Sequence, residues 1–594
     1  MQNSNKSAGL RDVSLWELFD LFKDLKQPEA PVKVFLFIIG MVLTPISLCG
    51  ALMGYKKAYL RFGLPNEEKP ILKNLKRIYW TAMFIGIIVV WLLVAVGVAL
   101  LIQLSDVLMG GDVGVWATFG FMFINLILSA YIFSYFKRWQ LSILNHLNEI
   151  SRFGSATWGS DEVIADLERQ DGIYIGGGTF AYNKNGHILT LGGTRGGKGV
   201  NLILPNLLGL SGYQGSWVII DVKSELTAIS SRFQQDNGQN VYILDPWGIH
   251  TKDGSTYNPL DLVANQTDPD NQIDDISIIA EMIVPRDSKG DQFWDNKARS
   301  LIGGMILHLT ITEEKQNQTL TKIWEWLRLP MVGDDSLEEL IAEMVVSDSA
   351  IVRATGNEYA NIMHTSEKVF QSILATAQEK TDFLKSPALQ KSLAASNFNI
   401  NNITNGKTTL YVIIPPDKLD SHYQWLRLVM TTALRSAVRN HDKRITFLCD
   451  EFAALGYLPE MKTALSTYAG YNITMWPIVQ DLGQLKSIYG DVWETFISNT
   501  AVRHFLSVSD VFSLEYISKL MGTKTTVTYD ANDKSGKPHV TARALATEDE
   551  IRRASANAIF TLVENRPPLV FSKLPYYEMP TLDGLHDPNP YYKS

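Results

Sequence analysis

The sequence predicts an α/β protein that begins with transmembrane helices and carries an all-α domain inserted between two strands of one sheet. Long uncharged runs occupy much of the first 140 residues, and from about residue 140 short apolar runs alternate with longer helical patterns. Between about residues 297 and 400 there is no convincing strand pattern. Strands that alternate with helices form parallel or mixed sheets, so these three observations define the predicted fold class.

Three runs without a charged side chain predict the membrane anchor: residues 34–54, 78–104 and 113–136. Their lengths of 21, 27 and 24 residues each suffice to cross a hydrocarbon core of about 30 Å as a helix. Buried core helices are the alternative, but such helices rarely lack charge on every face over this length. The first run starts too late and is too long for a cleaved signal peptide, whose apolar region has about 7–15 residues.

The charges of the connecting loops orient these helices. Seven lysines and arginines lie between the first two runs, against Glu67 and Glu68, whereas the next connection has two aspartates and no cation. The positive-inside rule therefore predicts that the chain beyond residue 137 is cytoplasmic and that the amino terminus is periplasmic. In the amino-terminal tail, residues 1–33, the amphipathic stretch 13–25 suits an interfacial helix, a docking segment for a periplasmic partner or a simple surface helix.

The overall composition excludes some classes of protein. The formal net charge of -8 gives no support to nucleic-acid binding through bulk basicity. Cys49 and Cys449 are too few for a disulfide framework, and neither lies in a metal-ligand cluster. The main body therefore has the composition of a reduced, cytosolic protein.

Seven short apolar runs bounded by glycine, proline or aspartate predict strands that are buried on both faces. They are residues 187–191, 216–221, 241–245, 409–415, 445–450, 473–479 and 504–509. The polar, turn-rich stretch 529–543 predicts an exposed loop or hairpin, and the last twenty residues, rich in proline and tyrosine, predict an ordered strap or a short tail.

A glycine-rich loop directly follows the first of these runs and precedes a segment that can start a helix. Its spacing, glycine, four residues and then glycine–lysine, is that of a phosphate-binding loop, in which backbone N–H groups and the helix amino terminus face the phosphates. Lys198 would reach the β and γ phosphates. A chance glycine-rich turn is the alternative, because Gly199 stands where a serine or threonine normally contacts magnesium. The candidate binding residues are Gly192, Gly193, Thr194, Arg195, Gly196, Gly197, Lys198 and Gly199.

Two acids and an amide at later strand ends complete a candidate ATP and Mg²⁺ site. Asp450 would hold the metal directly or through water, and the adjacent Glu451 would polarise the attacking water. Gln480, thirty residues beyond Asp450, would hydrogen-bond the γ-phosphate or that water. A strand that ends in two solvated acids is the structural alternative. Since magnesium retains several waters, one more water can replace the hydroxyl that Gly199 lacks.

Several spaced motifs resemble one family. They are GGTRGGKGVNLILPNLL (192–208), VIIDVKSE (218–225), QFWDNKA (292–298), CDEFAALGYLP (449–459) and VQDLGQLKSIYG (479–490). With them the chain resembles the TraG-like coupling ATPases of bacterial type IV secretion systems over roughly residues 140–580. In that family a glycine after the loop lysine is common. Asp221, Lys223 and Glu225 match a motif beside the nucleotide, where we expect either a supporting role or a purely structural strand cap.

The resemblance implies a RecA-like nucleotide-binding domain in two parts, 140–296 and 401–580, around the all-α domain 297–400, with a tail at 581–594. It also implies a homo-hexamer at the cytoplasmic face of the bacterial inner membrane that hydrolyses ATP. The implied partners are inner-membrane components of the secretion channel, and either a relaxase attached to single-stranded DNA or effector proteins. The all-α domain would take part in substrate recognition.

Two features depart from the family's pattern. We count three transmembrane helices where two are usual, and the segment before residue 473 has no arginine to complete a neighbouring subunit's site. Arg503 or Arg195 is the candidate replacement, and a salt bridge that does not involve phosphate is the alternative for either residue. Two other functions therefore stay open: an ATP-binding receptor or gate with little hydrolysis, and, more distantly, a DNA translocase of the FtsK or HerA kind.

Overall fold

The computed structural model describes residues 153–160, 164–168, 171–264, 268–286, 292–528 and 539–591. The three predicted transmembrane helices and the amphipathic amino-terminal stretch lie outside these residues. Within the described part, no helix has the length and apolar character needed to cross a bilayer. The described residues form two compact units, one comprising 153–156, 522–528 and 539–544, and the other comprising those within 157–521 and 545–591.

The larger unit is built on a nine-stranded sheet with the order β13-β12-β9-β3-β8-β7-β4-β6-β5. All neighbours from β9 to β5 are parallel, whereas β12 and β13 extend the sheet in antiparallel fashion. The strands are β3 (His187–Gly192), β4 (Ser216–Asp221), β5 (Asn240–Leu244), β6 (Thr408–Ile413), β7 (Ile445–Cys449), β8 (Ile473–Val479), β9 (Thr500–Leu506), β12 (Ala558–Val563) and β13 (Leu569–Ser572). A separate antiparallel pair is formed by β1 (Ile173–Gly176) and β2 (Phe180–Tyr182).

The seven predicted strands are confirmed as β3 to β9, and six of them agree closely in their bounds. The seventh begins at Thr500, four residues before the predicted start. The apolar run hides this start because Arg503, partly exposed, interrupts it within the strand. The short strands β1, β2, β12 and β13 were not among the predicted ones.

Alternate side chains of the central strands fill two apolar cores, one on each face of the sheet. In β4, Val218 and Ile220 belong to one core, whereas Trp217 and Ile219 belong to the other. This alternation follows from the period of two along a strand, and apolar residues at every position are typical of a parallel sheet covered on both faces.

The α-helices of the described residues cover the sheet and form the segment between β5 and β6. They are α1 (Leu204–Leu207), α2 (Glu225–Asp236), α3 (Asp261–Ala264), α4 (Pro269–Ile283), α5 (Gln292–Thr312), α6 (Leu320–Trp326), α7 (Leu337–Val345), α8 (Ala350–Thr365), α9 (Glu367–Lys380), α10 (Pro387–Leu393), α11 (Leu419–Arg439), α12 (Pro459–Thr467), α13 (Leu482–Tyr489), α14 (Glu494–Ser498), α15 (Val511–Met521) and α16 (Glu548–Ala554).

The described residues between β5 and β6 contain helices but no strand, as the sequence pattern predicts. The predicted start of the all-α domain, residue 297, falls inside α5, and the helices α3 and α4 precede it. The helix α4 packs on α11, where the buried Asp275 accepts two hydrogen bonds from Arg439. The helical segment between the two strands is therefore longer than the pattern of residues 297–400 indicates.

The smaller unit contains the hairpin β10 (Thr523–Thr528) and β11 (His539–Ala544). Residues 153–156 lie along β10, where the Ala156 N–H donates to the Thr523 carbonyl over 3.1 Å. The end of the turn-rich stretch 529–543 thus forms strand β11, and residues 529–538 lie outside the described part. This hairpin interrupts the region 401–580 that the sequence assigns to one domain.

Candidate nucleotide site

Four parallel strands, β3, β8, β7 and β4, lie side by side, so their carboxyl ends share one edge of the sheet. The predicted loop follows β3, Asp450 and Glu451 follow β7, and Gln480 follows β8. In open α/β sheets ligands bind outside the carboxyl ends of the strands. The topology therefore brings the sequence-predicted site residues to the edge where a ligand is expected.

Two glycines of the loop leave no room for a side chain. A Cβ atom on Gly193 would lie 2.7 Å from the Ser507 carbonyl oxygen, and one on Gly197 would lie 2.5 Å from the Asn201 amide nitrogen. Gly197 also has a positive φ of 82°, which favours glycine. The loop then enters a π-helical turn at Gly199–Ile203 that continues into α1.

Lys198 lies within the loop, and its Nζ donates a hydrogen bond to the Gly192 carbonyl over 2.8 Å. The next residue, Gly199, differs from the other loop glycines, because a Cβ atom placed there would meet no atom within 4 Å. Its φ is not positive either. Packing does not require glycine at this position. The missing hydroxyl is therefore a property of the sequence and not a demand of the fold.

Gln480 links the loop to the acidic strand end. The Thr194 hydroxyl donates to Gln480 Oε1 over 3.4 Å, and Gln480 Nε2 donates to Glu451 Oε2 over 3.4 Å. Gln484, which sequence reasoning missed, accepts a hydrogen bond from the Gln480 backbone N–H over 2.9 Å. Three segments that are far apart in the sequence thus converge within hydrogen-bonding distance.

Asp450 carries an electrostatic conflict that a cation would relieve. Burial and, to a smaller extent, the carboxylates of Asp221, Glu451 and Glu225 together raise its pKa to about 7, although Lys198 opposes the shift. Such a site favours a bound positive charge. Among the described residues no group of three or more His, Cys, Asp or Glu side chains is placed to hold a metal. The donor set fits magnesium bound mainly by water and phosphate oxygens, with a single carboxylate from the protein.

Asp221, at the end of β4, has its carboxylate occupied by the protein. Its Oδ2 accepts hydrogen bonds from the backbone N–H and the hydroxyl of Thr227, both over 2.7 Å, and its Oδ1 accepts one from the Lys223 N–H over 3.4 Å. Burial raises the pKa of Asp221 to about 6, while these hydrogen bonds lower it. The geometry therefore favours the structural alternative, in which Asp221 caps the first turn of α2.

The two candidate arginines differ in their surroundings. Arg503, within β9, donates hydrogen bonds from Nε and Nη2 to the Thr500 carbonyl over 3.1 and 2.8 Å. Burial lowers the pKa of its guanidinium. Arg195 is exposed in the loop and has a positive φ of 59°. Arg195 is thus the more exposed of the two and lies within the loop itself.

A buried polar cluster ties the loop strand to its two neighbours. The Thr190 hydroxyl of β3 accepts a hydrogen bond from Trp476 Nε1 of β8 over 2.9 Å and lies 3.1 Å from His504 Nδ1 of β9. Burial lowers the pKa of His504 to about 3, so this imidazole is neutral at physiological pH. The cluster fixes the register of the strands that carry the loop and Gln480, and the apolar periodicity of these strands gives no sign of it.

The sequence profile of the family described as "Type IV secretory system Conjugative DNA transfer" matches residues 146–591. This chain belongs to that family. Among curated proteins it is 30% identical over 401 residues to the conjugal transfer protein TraG of Escherichia coli, covering 62% of this chain and 60% of that protein. It is 26% identical over 424 residues to the VirD4 protein of Rhizobium radiobacter, covering 68% of this chain and 60% of that protein. The chain thus spans about 60% of the length of these relatives.

Solved structures of the bacterial conjugative coupling protein TrwB share the fold. The unbound form of TrwBdeltaN70 has a TM-score of 0.55 and 16% identity, covering 70% of this chain and 93% of that chain. TrwB in complex with ADP and Mg²⁺ has a TM-score of 0.53 and 16% identity, with coverage of 70% and 93%. The family expected from the sequence motifs and the mixed α/β fold are thereby confirmed.

Proposed function

We propose that this protein is the coupling ATPase of a bacterial type IV secretion or conjugation system. It recruits a relaxase attached to single-stranded DNA, or effector proteins, and uses ATP hydrolysis to drive their delivery to the secretion channel. Membership of a family described by conjugative DNA transfer supports this function, as do relatives named for conjugal transfer. The predicted transmembrane helices anchor it in the inner membrane with a periplasmic amino terminus, where it assembles as a homo-hexamer with channel components.

The observation that carries the proposal is the chain of contacts from the loop to the acids. Thr194, Gln480 and Glu451 are joined by two hydrogen bonds, and the charge of Lys198 acts on Asp450. A loop that only turned the chain would need none of these partners. Their convergence at the carboxyl edge of a parallel sheet favours the hypothesis of a site that binds and hydrolyses a nucleoside triphosphate.

Each residue has a role that its position allows. Backbone N–H groups of the loop donate hydrogen bonds to the phosphate oxygens of ATP, and the Lys198 ammonium turns from the Gly192 carbonyl to the β and γ phosphates. Glu451 orients and polarises the attacking water. Gln480 hydrogen-bonds the γ-phosphate or that water and, through its contact with Thr194, transmits the state of the nucleotide to the loop.

The chemistry that magnesium supplies when bound is neutralisation of phosphate charge. Asp450 holds it, directly or through water, as the ionised carboxylate. A Cβ atom on Gly199 would meet no atom within 4 Å. Water therefore has room at the position that a serine or threonine hydroxyl would otherwise occupy.

ATP turnover by the purified full chain tests the proposal, with Lys198→Ala and Glu451→Gln as variants. We expect Lys198→Ala to lose ATP affinity and to lower turnover by about 100-fold, because it removes the charge that faces the phosphates. Glu451→Gln should keep ATP affinity and lower turnover by about 100-fold, because an amide cannot polarise water. Equal phosphate release by wild type and both variants would exclude an ATPase.

An ATP-binding receptor or gate with little hydrolysis is the second candidate. Gly199 supplies no hydroxyl for magnesium, and Arg503 is already bonded to the Thr500 carbonyl, so two groups that speed hydrolysis in other nucleotide sites are absent or occupied. This candidate predicts ATP binding that Lys198→Ala abolishes, with negligible phosphate release even from wild type. The third hypothesis, a translocase of the FtsK or HerA kind, loses support because the family profile covers residues 146–591.

Contact with single-stranded DNA is the part of the proposal that salt can test. The lumen of a hexameric ring needs only a few lysine or arginine side chains and some aromatic side chains to bind a single strand. A net charge of -8 does not exclude such a surface. We expect sequence-independent binding whose affinity falls steeply as salt rises from 50 to about 200 mM, measured by fluorescence anisotropy with an oligonucleotide. An affinity that stays constant over this range would exclude binding through backbone charge.

A further inference from the structure

The carboxy-terminal stretch Lys573–Tyr591, here called the C-terminal strap, is anchored in the core and is not a loose tail. Tyr576, Met579 and Leu582 are at most 4% exposed. They share an apolar core with Leu202 and Ile203, which lie in the helical turns directly after the phosphate loop. The strap therefore lies against the element that presents the loop.

The first residue of the strap supports the loop from behind. Lys573 Nζ donates hydrogen bonds to the Ser507 hydroxyl over 2.9 Å and to the Ala556 carbonyl over 2.8 Å. Ser507 is the residue on which the loop rests, since a Cβ on Gly193 would meet its carbonyl oxygen and one on Gly196 would meet its Cβ at 3.2 Å. The start of the strap is thus connected to the phosphate loop through a single residue, Ser507.

The last described residues of the strap form hydrogen bonds with the turn between β4 and α2. The Tyr591 hydroxyl donates to the Lys223 carbonyl over 2.6 Å, and Asn589 Nδ2 donates to Glu225 Oε1 over 2.5 Å. Between these two contacts, Ser224 has a left-handed φ of 58°, a conformation that residues other than glycine rarely adopt. Such a turn persists only where its surroundings hold it.

The other side of this turn is held by Asp221, which accepts the Lys223 N–H. The turn is therefore held on two sides, by a strand-end carboxylate and by the strap. The turn follows β4, whose register against β7 places Ile220 opposite Cys449, the residue before Asp450. Glu225 thus begins α2 at the sheet edge that carries Asp450, and Asn589 donates a hydrogen bond to its carboxylate.

We propose that the C-terminal strap is a positioning element of the nucleotide site, in which Asn589 and Tyr591 hold Glu225 and its turn in the geometry required for turnover. This inference rests on the proposed ATPase function and adds two positioning residues that lie about 110 residues beyond Gln480 in the sequence. It differs from a purely structural role, in which the strap would add only to the stability of the fold.

Turnover by the full-length protein in detergent is the first test, with Asn589→Ala and Tyr591→Phe against Asp587→Asn as the matched control. Asp587 lies on the same strap, and its ion pair with Arg232 over 2.7 Å is solvent-exposed and does not involve Glu225. We expect each of the two variants to lower kcat by about tenfold, with KM for ATP changed by less than about threefold, because a hydrogen bond to a charged or strained group is lost. The control should stay within about twofold of wild type.

A double-mutant cycle separates positioning from stability. If Asn589 acts through Glu225, then Asn589→Ala should reduce kcat by less than about twofold in a Glu225→Ala background, which has no side-chain acceptor for the Asn589 amide. A structural contribution would reduce kcat by the same factor in both backgrounds. Equal factors would overturn the proposal.

Hydrogen exchange of the nucleotide-free protein gives a readout that does not depend on turnover. We expect the amides of residues 222–236 to exchange about tenfold faster in Asn589→Ala and Tyr591→Phe than in wild type and Asp587→Asn. Unchanged exchange in both variants would overturn the proposal. Should wild type release no more phosphate than Lys198→Ala, the ATPase function fails, and the exchange rates alone decide whether the strap holds the turn.

Discussion

The ends of β4 and β7 are two neighbouring regions that look alike in the sequence and differ in their chemistry. Each strand is apolar, buried and bounded by an aspartate at its carboxyl end, Asp221 in one case and Asp450 in the other. The Asp221 oxygens accept three hydrogen bonds from the adjoining turn and helix, whereas no hydrogen bond to Asp450 is found among the described residues. A carboxylate whose oxygens already accept hydrogen bonds from the protein stabilises the fold. A carboxylate whose oxygens accept none is available to bind a cation.

The difference arises from the path of the chain beyond each strand. After β4 the chain turns back so that the backbone and hydroxyl of Thr227 reach Asp221. After β7 the chain continues into a short 3-10 turn at Phe452–Leu455 whose N–H groups do not reach Asp450. The local geometry after the strand therefore decides which acid is structural and which is functional.

The sharpest test of this comparison is the substitution Asp450→Asn. We expect it to lower ATP turnover by about 100-fold at saturating magnesium, because the single protein carboxylate of the metal site is lost. Phosphate release over a magnesium titration measures the effect. Turnover above one tenth of the wild-type rate would show that Asp450 is not the metal residue.

The partner substitution, Asp221→Asn, should act on stability. An asparagine has one acceptor oxygen, so it cannot accept both from Thr227 and from the Lys223 N–H, and we expect the free energy of unfolding to fall by about 1–3 kcal/mol. Chemical denaturation monitored by fluorescence gives this value, and turnover at 10 °C shows how much activity the folded fraction retains. A folded variant with wild-type stability but no turnover would reverse the assignments of the two acids.

A smaller effect is expected in the pH dependence of stability. Burial raises the pKa of Asp450 to about 7 from an unfolded value of 3.8, so the folded state holds this proton more tightly than the unfolded state. Without magnesium, this group therefore lowers stability as pH rises from about 4 to about 7 and has no further effect above that range. We expect the stability of Asp450→Asn relative to wild type to increase steadily over this range. A difference that is constant with pH would contradict the raised pKa.

The smallest expected effect concerns the position after the loop lysine. The free space around Gly199 predicts that Gly199→Thr folds normally and places a hydroxyl near the metal. We expect the magnesium concentration for half-maximal turnover to fall by about threefold, with Gly199→Ala as the control that adds the Cβ without the hydroxyl. An equal effect of both substitutions would assign it to helix propensity and not to the metal.

The strands and the loop could be predicted because each has a local signature. The seven central strands carry continuous apolar runs, and the phosphate loop carries a fixed glycine–lysine spacing. The strand β13 escaped prediction because it lies at the sheet's end, where it alternates buried and exposed residues over only four positions. The strand β12 was missed although its six residues form an apolar and mostly buried run. The same limit applies to Gln484 and Asn589, since a lone amide has a functional meaning only when its partner is known.

The sequence by itself determined the parallel strand pattern, the helical segment between β5 and β6, and the positions of Lys198, Asp450, Glu451 and Gln480 at strand ends, because these depend on short-range periodicity and spacing. Only the tertiary structure decided that Asp221 accepts hydrogen bonds from Thr227. It also decided that Gln480 joins Thr194 to Glu451 and that the C-terminal strap reaches Glu225. Those contacts join residues between 6 and 364 positions apart. Hydrogen bonds of a few ångströms depend on the mutual packing of whole elements, which no local pattern records.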